Sequence, residues 1–144
     1  MPQTNMGKLS MDKNDKIKNL VNNWIAIAQR DLLTAEQGLK ADNVITDTVC
    51  FHCQQAAEKY LKALLVKQQI EFTKTHSIAL LVNLCATKDT SLKEELKEAD
   101  ILTDYAVEIR YPDDWYEPTI EETRLAYEMM LKVKSVIINK IAQT

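Results

Sequence analysis

Two glycines and three prolines in 144 residues leave this chain few places to turn tightly. That scarcity argues for long helices and against a turn-rich β architecture. Both glycines, Gly7 and Gly38, stand alone, so no glycine-rich phosphate loop is present. No run approaches the roughly 20 apolar residues needed to cross a bilayer. The opening stretch, MPQTNMGKLSMDKND, lacks the apolar core of a secretory signal. Three cysteines, an odd number, read as reduced thiols, and a cytoplasmic location is expected. The net charge of −3 supplies no general attraction for nucleic acid. Only His52 and His76 are available as imidazoles, and no Glu-x-x-His pair exists. Cys50, His52 and Cys53 are close in sequence, but on a helix His52 points away from the two thiols. No metal site and no cofactor is therefore expected.

What remains is rich in helix formers. The stretch Phe51–Leu65 has neither Gly nor Pro, and Ala, Leu, Gln, Glu and Lys dominate it. At 100° per residue, Val49, Cys53, Ala56, Ala57, Tyr60 and Leu64 form one apolar stripe containing three small residues. Thr46 or Asp47 is positioned to cap this helix, which should run to about Gln69. The helix before it, from about Asp15 to Lys40, carries Ile17, Val21, Trp24, Ala28, Leu32, Ala35 and Leu39 on its inner line. Asp31 falls on the shoulder of that line and should need a partner. A third, shorter helix is expected from Ser77 to about Thr87. Ser91 with Glu94 reads as a capping box opening a fourth helix that continues to about Tyr111, where Pro112 stops it. Thr119 with Glu122 reads as a second box, opening a last helix to about Ala142. Residues 1–14 read as a flexible lead-in and 15–142 as a single domain. The predicted fold is all-α, an antiparallel up-and-down bundle of four to five helices.

Phe51-His52-Cys53-Gln54-Gln55-Ala56-Ala57-Glu58-Lys59-Tyr60-Leu61-Lys62-Ala63-Leu64-Leu65-Val66 resembles the signature helix of the HEPN family, the higher eukaryotes and prokaryotes nucleotide-binding domain. Trp24 through Ala35 is similar to that family's first-helix pattern. Arg110-Tyr111-Pro112-Asp113 is similar to the stretch found where its fourth helix ends, and Thr75-His76 to the pair that opens its third. These motifs fall in order across residues 17–141. The resemblance implies a helical bundle, usually a homodimer, associated with nucleotides or RNA. It often implies a companion minimal nucleotidyltransferase in a toxin–antitoxin-like pair.

Arg110 is the leading candidate site residue. On a continuous fourth helix it would point into the bundle, and a guanidinium there demands a carboxylate or a phosphate. An internal ion pair with Asp31 or Glu58 is the structural reading; an anion site is the functional one. The resemblance implies a ribonuclease motif of Arg, four to six residues, then His. Here residues 115–117 are Trp115, Tyr116 and Glu117, so the motif lacks its histidine. The expectation is a noncatalytic nucleotide- or RNA-associated partner module, with Arg110, Asp31, His76 and Lys59 as nucleotide contacts. An endoribonuclease drawing on Arg110, Asp31 and His52 is the alternative, and a purely structural dimer is the third reading. Lys59, Lys62, Lys67 and Lys74 form a loose positive trail, read as a solvated face.

Overall fold

The computed structural model describes residues 12–107 and 111–143. Among these, helices are the only regular structure, and the expected bundle forms. α1 spans Lys13–Lys40, α2 Thr46–Gln68, α3 Ile78–Ala86, α4 Ser91–Glu95 and α5 Ile120–Ala142, with a 3₁₀ helix at Ala99–Tyr105. No described helix is long and apolar enough to cross a membrane. Lys13 and Asn14, expected in the lead-in, already belong to α1, whose cap is Asp12 accepting from the Asp15 amide. The rest of the expected lead-in, residues 1–11, lies outside the described residues.

α2 is the centre of the bundle. Cys53, Ala56, Ala57 and Ala63 are fully buried, and their small side chains let other elements approach closely. α1, α5, α3 and the 3₁₀ helix all pack on it. Tyr60, Leu61 and Leu65 fill the space between. α1 runs antiparallel to α2: Gly38 sits at Val49, Asp31 at His52 and Lys59, and Trp24 at Lys62. α5 starts where α2 starts, with Cys50 bonded to Thr123, because the chain between residues 91 and 105 travels back along the bundle.

Two local expectations are corrected. The Ser91–Glu94 box does not form: Ser91 is itself helical and bonds Asp89, while Glu94 pairs with Lys97. The fourth helix consequently stops at Leu96, and a 3₁₀ turn replaces its continuation. The capping residue of α2 is Ile45, without a side-chain bond; Thr46 is the first helical residue, and its buried hydroxyl has no partner. The Thr119–Glu122 box is present in full, and Ser77 caps α3 by accepting from the Leu80 amide.

Candidate functional site

Asp31 reaches the inner seam between α1 and α2, and its residue exposure is only 8%. A carboxylate so placed needs donors, and α2 supplies two of them from one face. Oδ1 faces His52 Nδ1 at 2.8 Å, and Oδ2 accepts from Lys59 Nζ at 2.5 Å. Residues 52 and 59 are seven apart, two turns on one side of the helix, so both reach the same carboxylate. Because an ionised carboxylate only accepts, Nδ1 carries the proton, and in the neutral imidazole Nε2 is then the acceptor. His52 and Lys59 keep about a fifth of their side-chain surface open. The Phe51 ring stands edge-on to His52, with centroids 5.2 Å apart.

A second carboxylate, Glu58, repeats the pattern at greater depth. Its Oε1 faces His76 Nδ1 at 2.8 Å and accepts from Gln54 Nε2 at 3.1 Å; its Oε2 accepts from Lys62 Nζ at 2.8 Å. Gln54 also donates to the His76 carbonyl. Burial by itself would raise the Glu58 pKa, but the bonds from Lys62, His76 and Gln54 outweigh it, and the group sits below its ordinary value. Lys62 is flanked by Trp24 and Phe72, 5.6 and 5.8 Å from the two ring centroids. This fixes the connector after α2 against α1.

Of the sequence candidates, the fold brings together Asp31, His52 and Lys59. His76 is held by a different carboxylate, Glu58. The positive trail separates: Lys59 and Lys62 each serve one carboxylate and are not a solvated stripe. Arg110 lies outside the described residues. The continuous helix on which its inward direction depended ends at Leu96. Sequence reading missed the Glu58–His76–Lys62 arrangement, although Glu58 and Lys62 stand at the i, i+4 spacing that signals a pair.

The segment 111–118 closes a polar cleft of about 440 Å³ against the start of α2 and of α5, lined by Asp47, Asp104, Tyr105, Tyr116 and Glu122 among others. Trp115 donates its indole N–H to Asp47 at 3.3 Å, and the Tyr116 phenol bonds Glu122. Two of the three residues that occupy the expected histidine spacing, Trp115 and Tyr116, are thus tied into the fold. Among the described residues no group of three His, Cys, Asp or Glu side chains could hold a metal ion.

The family model for the HEPN domain matches residues 21–143. A crystal structure of ST0689, an archaeal HEPN homologue, is similar with a TM-score of 0.66 and 27% identity, covering 84% of this chain and 97% of that one. A crystal structure of TT1696 from Thermus thermophilus is similar with a TM-score of 0.69 and 28% identity, covering 83% of this chain and 97% of that one. Among curated proteins no match is found. The family match spans most of the chain and agrees with the bundle, and on that ground the chain belongs to the HEPN domain family.

Proposed function

We propose that this chain is a noncatalytic nucleotide- or RNA-binding module that works as a homodimer beside a partner protein. A minimal nucleotidyltransferase in a toxin–antitoxin-like pair is the partner that the family resemblance suggests. The observation that supports binding is the Asp31–His52–Lys59 arrangement. Its carboxylate orients one imidazole and one ammonium at a partly open helix seam, leaving the other Lys59 N–H groups for a phosphate and His52 Nε2 for an N–H of a base edge. Arg110 is the further anion contact in this reading. A second copy would cover Leu20 and Ile27, seven residues apart on one exposed stripe of α1.

One observation favours the alternative, an endoribonuclease. A carboxylate that fixes a histidine through Nδ1 leaves Nε2 ready to move a proton. His52 would then replace the histidine missing from positions 115–117. The two readings separate in one experiment. Labelled RNA and labelled nucleotides are incubated with wild type and with Asp31→Asn, His52→Ala, His76→Ala and Arg110→Ala. The proposed module binds nucleotide or RNA without specific cleavage in metal-free buffer, and Arg110→Ala and Asp31→Asn weaken binding. Specific cleavage abolished by His52→Ala and Arg110→Ala would replace it with the ribonuclease. Absence of both binding and cleavage would leave the structural dimer.

A further inference from the structure

Three large aromatic side chains stand exposed within six residues: Tyr111 at 78%, Trp115 at 55% and Tyr116 at 53%. A folded domain has little reason to hold so much ring surface in water on one short segment. Two of the rings are held in place, Trp115 through Asp47 and Tyr116 through Glu122. Aromatic surface fixed before a partner arrives costs less ordering on binding, and Trp and Tyr dominate the energetics of protein contacts.

The charge around the rings selects the partner. Asp113, Asp114 and Glu117 lie between and beside them with no cation in residues 111–118, and Glu121 follows at the start of α5. Among the described residues no side-chain hydrogen bond or ion pair engages these four carboxylates, whereas Glu122 is committed to Tyr116, Tyr105 and Thr119. Past Arg110, which immediately precedes Tyr111 in sequence, the carboxylates at 113, 114 and 117 would repel phosphodiester backbones and anionic headgroups. A guanidinium would be attracted by the carboxylates and would stack on the ring faces, which an ammonium does less well. Rings of this type bury about 150–250 Å² each when covered, so at these exposures the three offer on the order of 300–400 Å². That is less than the roughly 800 Å² per side of a domain–domain interface and fits a short segment.

We propose that segment 111–117, with the exposed rings of Tyr111, Trp115 and Tyr116, docks an arginine-rich segment of a partner protein. The occupant lies across the rings, its guanidinium groups reaching Asp113, Asp114 and Glu117. This goes beyond nucleotide binding at Asp31 and uses different residues, so either reading can fail without the other.

The test is fluorescence anisotropy with labelled hexa-arginine, hexa-lysine and hexa-uridylate, using the full chain at low and moderate salt. Hexa-arginine should bind more tightly than hexa-lysine. Trp115→Ala should weaken hexa-arginine at least about tenfold, and Trp115→Phe should retain most of the binding. Asp113→Asn with Asp114→Asn should weaken it and flatten its salt dependence. Glu94→Lys, remote from the rings in sequence and paired with Lys97, and Asp31→Asn should leave it unchanged. Unaltered circular dichroism of Trp115→Ala and Trp115→Phe establishes that the helical bundle still folds. The proposal is overturned by absence of hexa-arginine binding, or by equal binding of hexa-arginine and hexa-lysine that ignores Trp115→Ala. It is overturned equally by hexa-uridylate binding that Trp115→Ala removes, which would make the rings a base-stacking platform.

Discussion

Asp31 and Glu58 each hold one histidine and one lysine, yet they lie at different depths, and depth decides what each is worth. Lys62 and Glu58 keep 10% and 5% of their side-chain surface, against 23% and 11% for Lys59 and Asp31. Removing one partner of a buried pair leaves the other charge without compensation, typically at about 3–5 kcal/mol. Glu58→Ala is therefore expected to destabilise the fold by about that amount, and Asp31→Ala by about 1–3 kcal/mol because Lys59 can turn to water. Urea unfolding of both variants measures the difference; an equal or reversed order would show that depth is not the deciding factor. The Glu58 pKa is depressed in the folded state, so its contribution is fully present above its usual value of 4.5 and is lost as pH falls through the folded value. Stability of the wild type should thus decline below about pH 4.5, and Glu58→Gln should flatten that decline. A pH series of thermal melts on both proteins checks it: parallel curves would remove Glu58 from the acid response. Thiols follow the same logic of depth. Burial raises all three, Cys85 to about 12, so none should react with a disulfide reagent until the protein unfolds.

Gly38 illustrates at the level of elements what a sequence pattern can and cannot reveal. It lies inside α1, where a glycine costs about 0.5–1 kcal/mol against alanine, and nothing in the pattern accounts for it. The structure does: a Cβ there would meet Val49 Cγ2 at 2.7 Å, where α1 crosses the start of α2. Val49 is buried and β-branched, so it has little room to turn away. Gly38→Ala should lower stability by about 1–2 kcal/mol despite its better propensity, with recovery in the Gly38→Ala, Val49→Ala double variant relative to Val49→Ala alone. A neutral or stabilising single variant would show that the helices can separate without loss. The same distinction explains the rest of the reading. α1, α2 and α5 were legible because each is long, periodic and ends at polar residues or a true capping box, as at Thr119. The region after Ser91 was not, because a cap motif alone does not outweigh local competitors. Ser91 bonds Asp89 and Lys140, Glu94 takes Lys97, and the chain tightens into a 3₁₀ turn. The need of Asp31 for a partner was readable from its helical angle. Which residues would answer it was not, since that depends on the register of α1 against α2.

The whole molecule is arranged around α2, and this has a consequence for how it opens. α1 and α5 make the most extensive packing on α2, and α3 and the 3₁₀ helix also pack against it. Residues 53, 56, 57, 60, 61, 63 and 65 have no exposed surface at all. Exposing the whole α2 backbone therefore requires parting from α1, α5, α3 and the 3₁₀ helix together, which is global unfolding. Segment 91–105 has a five-residue helix and a 3₁₀ helix, each too short to persist alone. Its anchors at Leu92, Leu96, Ala99 and Leu102 reach the core from one side only, and Lys140 ties its start to α5 through Asp89 and Glu95. Its detachment while α1, α2 and α5 remain packed is the expected local opening. Hydrogen exchange at neutral pH should show amides of Cys53–Leu65 exchanging slowest, at the rate set by total stability. Amides of 91–105 should exchange at least about tenfold faster, by a local opening with a smaller urea dependence. Lys140→Ala should accelerate 91–105 further and leave the Cys53–Leu65 amides nearly unchanged relative to global stability. Equal protection of the two regions, or acceleration of both by the same factor, would mean that the bundle opens only as one unit and that α2 holds no privileged place in it.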